Sequence, residues 1–199
     1  MLKFNGKVMK FGNVWGAAGS VTPPGPVFEE VTIGTQTWMA KNLAIDDGGA
    51  GIVRYDNVTA NGVNFGTQYY YTYDAAERVA ASIEGWHLPS SDEWRNILLA
   101  YVNYNTTSLK STSGWSQNNG TNELGFNCAP VGQVSTDGLV NLGDYCLFIA
   151  TPKSWSLQWD AYRFSPPPFM SSSNNIANTY INSTADDIKA YPVRLVKDA

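Results

Sequence analysis

The chain is poor in the residues that build metal and nucleophilic centres, with two cysteines and one histidine among 199 residues. Cys128 and Cys146 stand 18 positions apart, without the closely spaced ligand pairs of a zinc site, and a lone imidazole does not complete a tetrahedral set. No metal or cofactor is expected on that count. Charge is scarce too: charged residues make up 15% of the chain, the net charge is −4, and the basic residues are scattered singly. With no block of Lys or Arg to neutralise phosphates, a nucleic-acid surface is not expected. No apolar run approaches the length of about 18 residues that spans a bilayer, so membrane insertion is not expected, and the start MLKFNGKVMKF lacks the apolar core of a signal peptide. Three origins then stand: a chain kept inside a cell, one whose signal has been removed, or one released by lysis as part of a virus particle. The N-terminus fits the last best.

What the chain does have is aromatic and loop-forming residues, 13% Phe, Trp and Tyr with 18 glycines and 10 prolines. That supports one sizeable core plus an appendage. Residues 1–26 read as the appendage: LKFNGKVMKF alternates around Asn5-Gly6, a type I′ turn signal, and Thr22-Pro23-Pro24-Gly25-Pro26 follows as a stiff spacer. A disordered leader is the other reading of this segment. Residues 27–199 read as the main domain.

Within it, GWHLPSSDEW, Gly85 to Trp94, joins a tight apolar turn to a well-specified helix start. Ser90 and Glu93 make a capping box, Asp92 places negative charge in the first turn, and Trp94, Ile97, Leu98, Tyr101 and Val102 form one apolar stripe. Alternation and clustering predict strands at Glu30 to Ile33, Gln36 to Lys41, Gln68 to Thr72, Phe126 to Val131, Asp144 to Ala150, Trp159 to Phe164 and Pro192 to Val196. A further helix is expected from Asp74 to Ala81. Asn103 to Asn122, rich in Asn, Thr, Ser and Gly, reads as a long surface loop anchored by Trp115. Two helices beside short antiparallel strands and long loops make an α+β fold.

The same motifs carry a resemblance. GWHLPSSDEW, the opening VTIGTQTWMAKNL (Val31 to Leu43), the Tyr-rich GTQYYYTYDAA (Gly66 to Ala76), LGFNCAPVG (Leu124 to Gly132) and the closing YPVRLVKD (Tyr191 to Asp198) resemble, in order, the Fibrobacter succinogenes major paralogous domain family. The resemblance implies a C-type-lectin-like fold related to the formylglycine-generating enzymes. In one place the chain departs: where members tend to read phenylalanine-tryptophan-serine-serine, it has Phe148-Ile149-Ala150-Thr151. The related oxidases hold copper with a cysteine pair near the C-terminal end, and here no cysteine follows Cys146. A non-enzymatic protein is the expectation, with an oxidase of that type as the remote alternative. Cys128 and Cys146, on neighbouring predicted strands, are read either as two buried thiols or as a disulfide.

Other polar groups promise little chemistry. His87, between Trp86 and Leu88, reads as a structural histidine bonded to backbone. Asp46-Asp47 and Asp186-Asp187 read as solvated turns, and the calcium-dependent lectin signatures are missing. The segment from Pro152 to Asn182 differs: large aromatics interleave with Ser, Asn, Thr and Pro, the mixture of rigid contact area and adaptable hydrogen bonding that suits a binding surface. The candidate ligand-binding residues are Trp155, Leu157, Trp159, Tyr162, Phe164, Phe169, Asn174 and Tyr180. In architecture and placement this resembles the variable proteins of diversity-generating retroelements, several of which are phage tail adhesins. It implies a receptor-binding domain of a phage or prophage, in the virion or at a cell surface, contacting a protein or glycan receptor on bacteria. A homo-oligomer is open, a trimer if the chain belongs to a tail fibre. A bacterial cell-surface structural domain or lipoprotein is the alternative.

Overall fold

A computed structural model describes residues 26–97, 106–151 and 190–197 with their side chains, and the backbone pairing alone of 3–4, 7–8, 159–164 and 177–181. At the start, β1 (Lys3–Phe4) and β2 (Lys7–Val8) pair antiparallel with Phe4 opposite Lys7. The main domain begins with a second hairpin, β3 (Glu30–Ile33) and β4 (Gln36–Met39), in which Ile33 faces Gln36 across Gly34, whose φ of 64° is the left-handed conformation a tight hairpin requires.

Next come β5 (Ile52–Tyr55), the short hairpin β6 (Thr59–Ala60) and β7 (Val63–Asn64), and β8 (Gln68–Tyr71), which pairs back onto β5. Between β6 and β7, Asn61 and Gly62 both have positive φ, 47° and 79°, as a type I′ turn needs. Thr72 then caps α1 (Tyr73–Ala81) through Ala75 N–H, and the helix buries Ala75, Ala76, Val79 and Ala80 on one face. After β9 (Trp86–His87), α2 (Ser91–Asn96) starts with the expected capping box: Glu93 N–H donates to Ser90 Oγ at 3.2 Å, and Ser90 N–H donates to Glu93 Oε2 at 2.8 Å. Trp94 and Ile97 are buried. Leu98, Tyr101 and Val102 lie outside the described residues.

Beside a small third cluster of Tyr70, Val134 and Ala190, two large apolar clusters fill most of the interior. One gathers Trp38, Trp94, Phe126 and Phe148 with Cys128 and Cys146; the other gathers the buried face of α1 with Leu43, Tyr71, Trp86 and Val193. They meet at β12 (Cys146–Ala150), all five of whose residues are buried. Because strand side chains alternate, Cys146, Phe148 and Ala150 enter the first cluster while Leu147 and Ile149 enter the second. Ile149 is thus a core residue. The closing strand β15 (Val196–Lys197) lies between β4 and β9, with Val196 opposite both Trp38 and His87, and completes the sheet order β3-β4-β15-β9.

The structure corrects several expected elements. Phe126 to Val131 is not a strand, since Asn127 is left-handed at φ 52° and glycines of positive φ flank the segment, although Phe126, Cys128 and Val131 are still buried. β10 (Gln133–Ser135) and β11 (Gly138–Val140) form the hairpin that follows. The strand expected from Asp144 starts only at Cys146, because a turn holds Tyr145 N–H on Asn141 O at 3.1 Å. Of Pro192 to Val196 only Val196 is in a strand; Val193 and Leu195 instead accept from Leu43 and Met39 N–H at 2.8 and 3.1 Å. The described part of the expected surface loop is only partly at the surface: Ser116 to Asn119 are exposed, while Thr106, Leu109, Lys110, Ser111 and Trp115 are buried. Its backbone is satisfied by partners such as Cys128, which bonds Leu109 and Ser111.

Candidate ligand-binding segment and its scaffold

β12 is followed by an excursion fastened at both ends. Thr151 N–H donates to Pro89 O at 2.8 Å, beside the capped start of α2. On return, Ala190 exchanges backbone bonds with Val134 at 2.9 and 3.1 Å, and Tyr191 with Tyr71 at 2.8 and 2.9 Å. Between these points lie β13 (Trp159–Phe164) and β14 (Ala177–Ile181), which continue the sheet in the order β12-β13-β14. Register sets Phe164 opposite Cys146, Tyr162 opposite Phe148 and Asn178, Trp159 opposite Ile181, and Tyr180 opposite Asp160. The fold therefore brings Trp159, Tyr162 and Phe164 onto one strand and Tyr180 onto its neighbour. Trp155, Leu157, Phe169 and Asn174 lie outside the described residues.

The remaining polar candidates resolve into structural roles. His87 bonds a carboxylate: its Nε2 lies 2.8 Å from Oε1 of Glu93, whose other oxygen caps α2. One carboxylate thus fastens β9 to the helix start. Asp46 and Asp47 accept from Gly48 and Gly49 N–H at 2.9 Å each, as turn aspartates do. Asp47 also takes both Arg78 Nε, at 2.7 Å, and Nη2, at 3.0 Å. Gly49 permits this approach, since a Cβ there would meet Arg78 Nη2 at 2.5 Å. The arginine and Gly49 N–H hold the Asp47 carboxyl down to about 2. Asp186 and Asp187 lie outside the described residues. Cys128 and Cys146 are both free and buried, so of the two readings the thiols are what the structure holds, and burial pushes the Cys146 thiol well up.

Two buried cations escaped the sequence reading. Lys110, 3% exposed, donates Nζ to Asn118 O at 2.5 Å and sits 4.1 Å from the Trp115 ring centroid. Arg194, 1% exposed, is the polar hub of the domain. Its Nε donates to Asn42 Oδ1 at 2.8 Å, Nη1 to Met39 O at 2.7 Å and Phe126 O at 2.9 Å, and Nη2 to Asn127 O at 3.3 Å. Its guanidinium carbon lies 4.6 Å from the Phe126 ring centroid. Burial holds its pKa down to about 10. The one signal in the sequence was an arginine inside the apolar closing motif YPVRLV, which does not by itself separate a buried from a solvent-facing position.

These features define an α+β domain with two α-helices among the described residues, mostly short antiparallel strands, and an aromatic-rich excursion launched from a strand buried on both faces. Residues 31–197 match the Fibrobacter succinogenes major domain, and the chain belongs to that family. No curated protein and no solved structure matches it.

Proposed function

We propose that this chain is a non-enzymatic binding module, and that the stretch between Thr151 and Ala190 supplies its contact surface. The observation that carries the reading is the fastening of that stretch at both ends to the two-cluster scaffold, with β13 held in register against the buried β12. Sequence can change between those points while the backbone anchors stay. The aromatics within it, Trp155, Trp159, Tyr162, Phe164, Phe169 and Tyr180, are the residue types that dominate interface energetics. The pairing of β15 with both β4 and β9 supports the finer, C-type-lectin-like fold that the family resemblance implies. On this reading the partner is a protein or glycan on a bacterial surface, and the module is the receptor-binding part of a phage or prophage particle whose variable segment is diversified.

The test compares adhesion to whole bacterial cells by the wild type and by a Trp155→Ala, Tyr162→Ala, Phe169→Ala triple variant that keeps its melting temperature. Losing even one hot-spot aromatic costs at least about 2 kcal/mol of binding, roughly thirtyfold in affinity. Adhesion should therefore collapse. Equal adhesion by the two proteins would move the binding surface elsewhere.

A further inference from the structure

Arg194 carries a buried positive charge that nothing inside the described protein neutralises. All its acceptors are neutral, an amide oxygen and three backbone carbonyls, and it forms no ion pair among the described residues. Among the described residues Nη2 has a single acceptor, Asn127 O, at the long distance of 3.3 Å. Burying an uncompensated ion is costly, so a counter-charge within reach would stabilise it. The fold supplies a carbonyl cage where a carboxylate would serve better: position 42, whose side chain accepts from Arg194 Nε at 2.8 Å, is Asn and not Asp.

Arg194 also lines a cleft of about 320 Å³, within the range of small-molecule sites. Its walls come from four separate parts of the chain: 40–44, 65–69, the turn at Asn127 and Ala129, and Arg194 itself. Among the lining residues are two cations, Arg194 and Lys41, the latter ion-paired with Glu29, and no Asp or Glu, in a chain whose net charge is −4. Phe65 and Tyr69 add aromatic wall, and Asn42 and Gln68 add amides, joined to each other at 3.0 Å.

We propose that this cleft is a binding site for a small carboxylate-bearing ligand, whose negative charge completes the pairing of Arg194. The amides position the ligand's polar groups and the two aromatic rings bound its apolar part. The site is built wholly from residues outside the Thr151 to Ala190 stretch, so it stands or falls apart from the receptor-binding reading.

The experiment titrates the full chain with sodium glucuronate, sodium acetate or glucose at constant ionic strength, following backbone amide shifts. Glucuronate should give saturable shifts centred on residues 40–44 and 127–129, with glucose weaker by at least about tenfold. Acetate as tight as glucuronate identifies a bare carboxylate as the ligand, and acetate much weaker identifies an acidic sugar; either supports the site. A second measurement uses Asn42→Asp, which places an internal carboxylate on Arg194. That variant should melt higher than the wild type and lose glucuronate binding by about tenfold or more. The proposal is overturned if glucuronate gives no saturable shift, if glucose binds equally well, or if Asn42→Asp binds glucuronate like the wild type.

Discussion

At the scale of single residues, Trp94 and the two thiols show what burial does. Trp94 stacks on Phe148 at 5.4 Å and 18° and packs against Trp38 at 4.6 Å, fully buried among rings. Replacing it by Ala removes the centre of that cluster, and thermal melting should show a loss of about 3–5 kcal/mol. A loss under about 1 kcal/mol would contradict its place in the core. Cys128 and Cys146 should resist Ellman's reagent in the native protein and react at once in guanidinium. Their sulfurs are inaccessible, and burial keeps the Cys146 thiol protonated far above neutral pH. Rapid native labelling of either cysteine would show that the first cluster opens. All three residues drew notice in the sequence, Trp94 by helical spacing and the cysteines by their scarcity. Arg194 did not, because a single basic residue in an apolar motif looks like any strand residue alternating toward solvent.

At the scale of elements, the strength of a local signal decided what was legible. The capping box at Ser90 and Glu93 and the β3–β4 hairpin depend on contacts a few residues apart, and both form as expected. Asn61-Gly62 is an equally local hairpin signal. The strand expected at Phe126 to Val131 failed because an apolar run reports burial and not backbone conformation, and left-handed Asn127 breaks the ladder. The tie between the Asp46 to Gly51 turn and α1 is also nonlocal. Since the folded Asp47 carboxyl sits at about 2, below its ordinary 3.8, the Arg78 pair stabilises the fold above the ordinary value and is lost as pH falls toward 2. Melting temperatures of wild type and Asp47→Asn should therefore differ at pH 5 and converge near pH 2. A constant gap across that window would assign the effect to the turn alone.

At the scale of the whole molecule, β12 makes one unit of two clusters. Phe148 belongs to one and Leu147 to the other, with a single backbone between them, so neither cluster can open without pulling on the strand that seals its neighbour. Phe148→Ala and Leu147→Ala should each lower one shared thermal transition. Tryptophan fluorescence, to which Trp38, Trp94 and Trp115 of the first cluster and Trp86 of the second contribute, and far-ultraviolet dichroism should give coincident midpoints in both variants. Two separated transitions would mean the clusters fold independently. The proposed adhesion test belongs at this scale too, since it depends on a scaffold that holds its anchors at Thr151 and Ala190.

The sequence by itself determined the α+β class, the start of α2, the opening hairpin, the family and the aromatic character of the stretch after Thr151. These rest on spacing, capping and turn chemistry within a few residues, or on motifs in a fixed order. Only the tertiary structure decided that β15 inserts between β4 and β9, that β12 is buried on both faces, and that the segment around Lys110 and Trp115 folds inward. It alone showed that an arginine at position 194 gathers carbonyls from residues 39, 126 and 127 around an unneutralised charge. The reason is physical: burial and charge compensation depend on which distant segments meet, and neither periodicity nor composition carries that information.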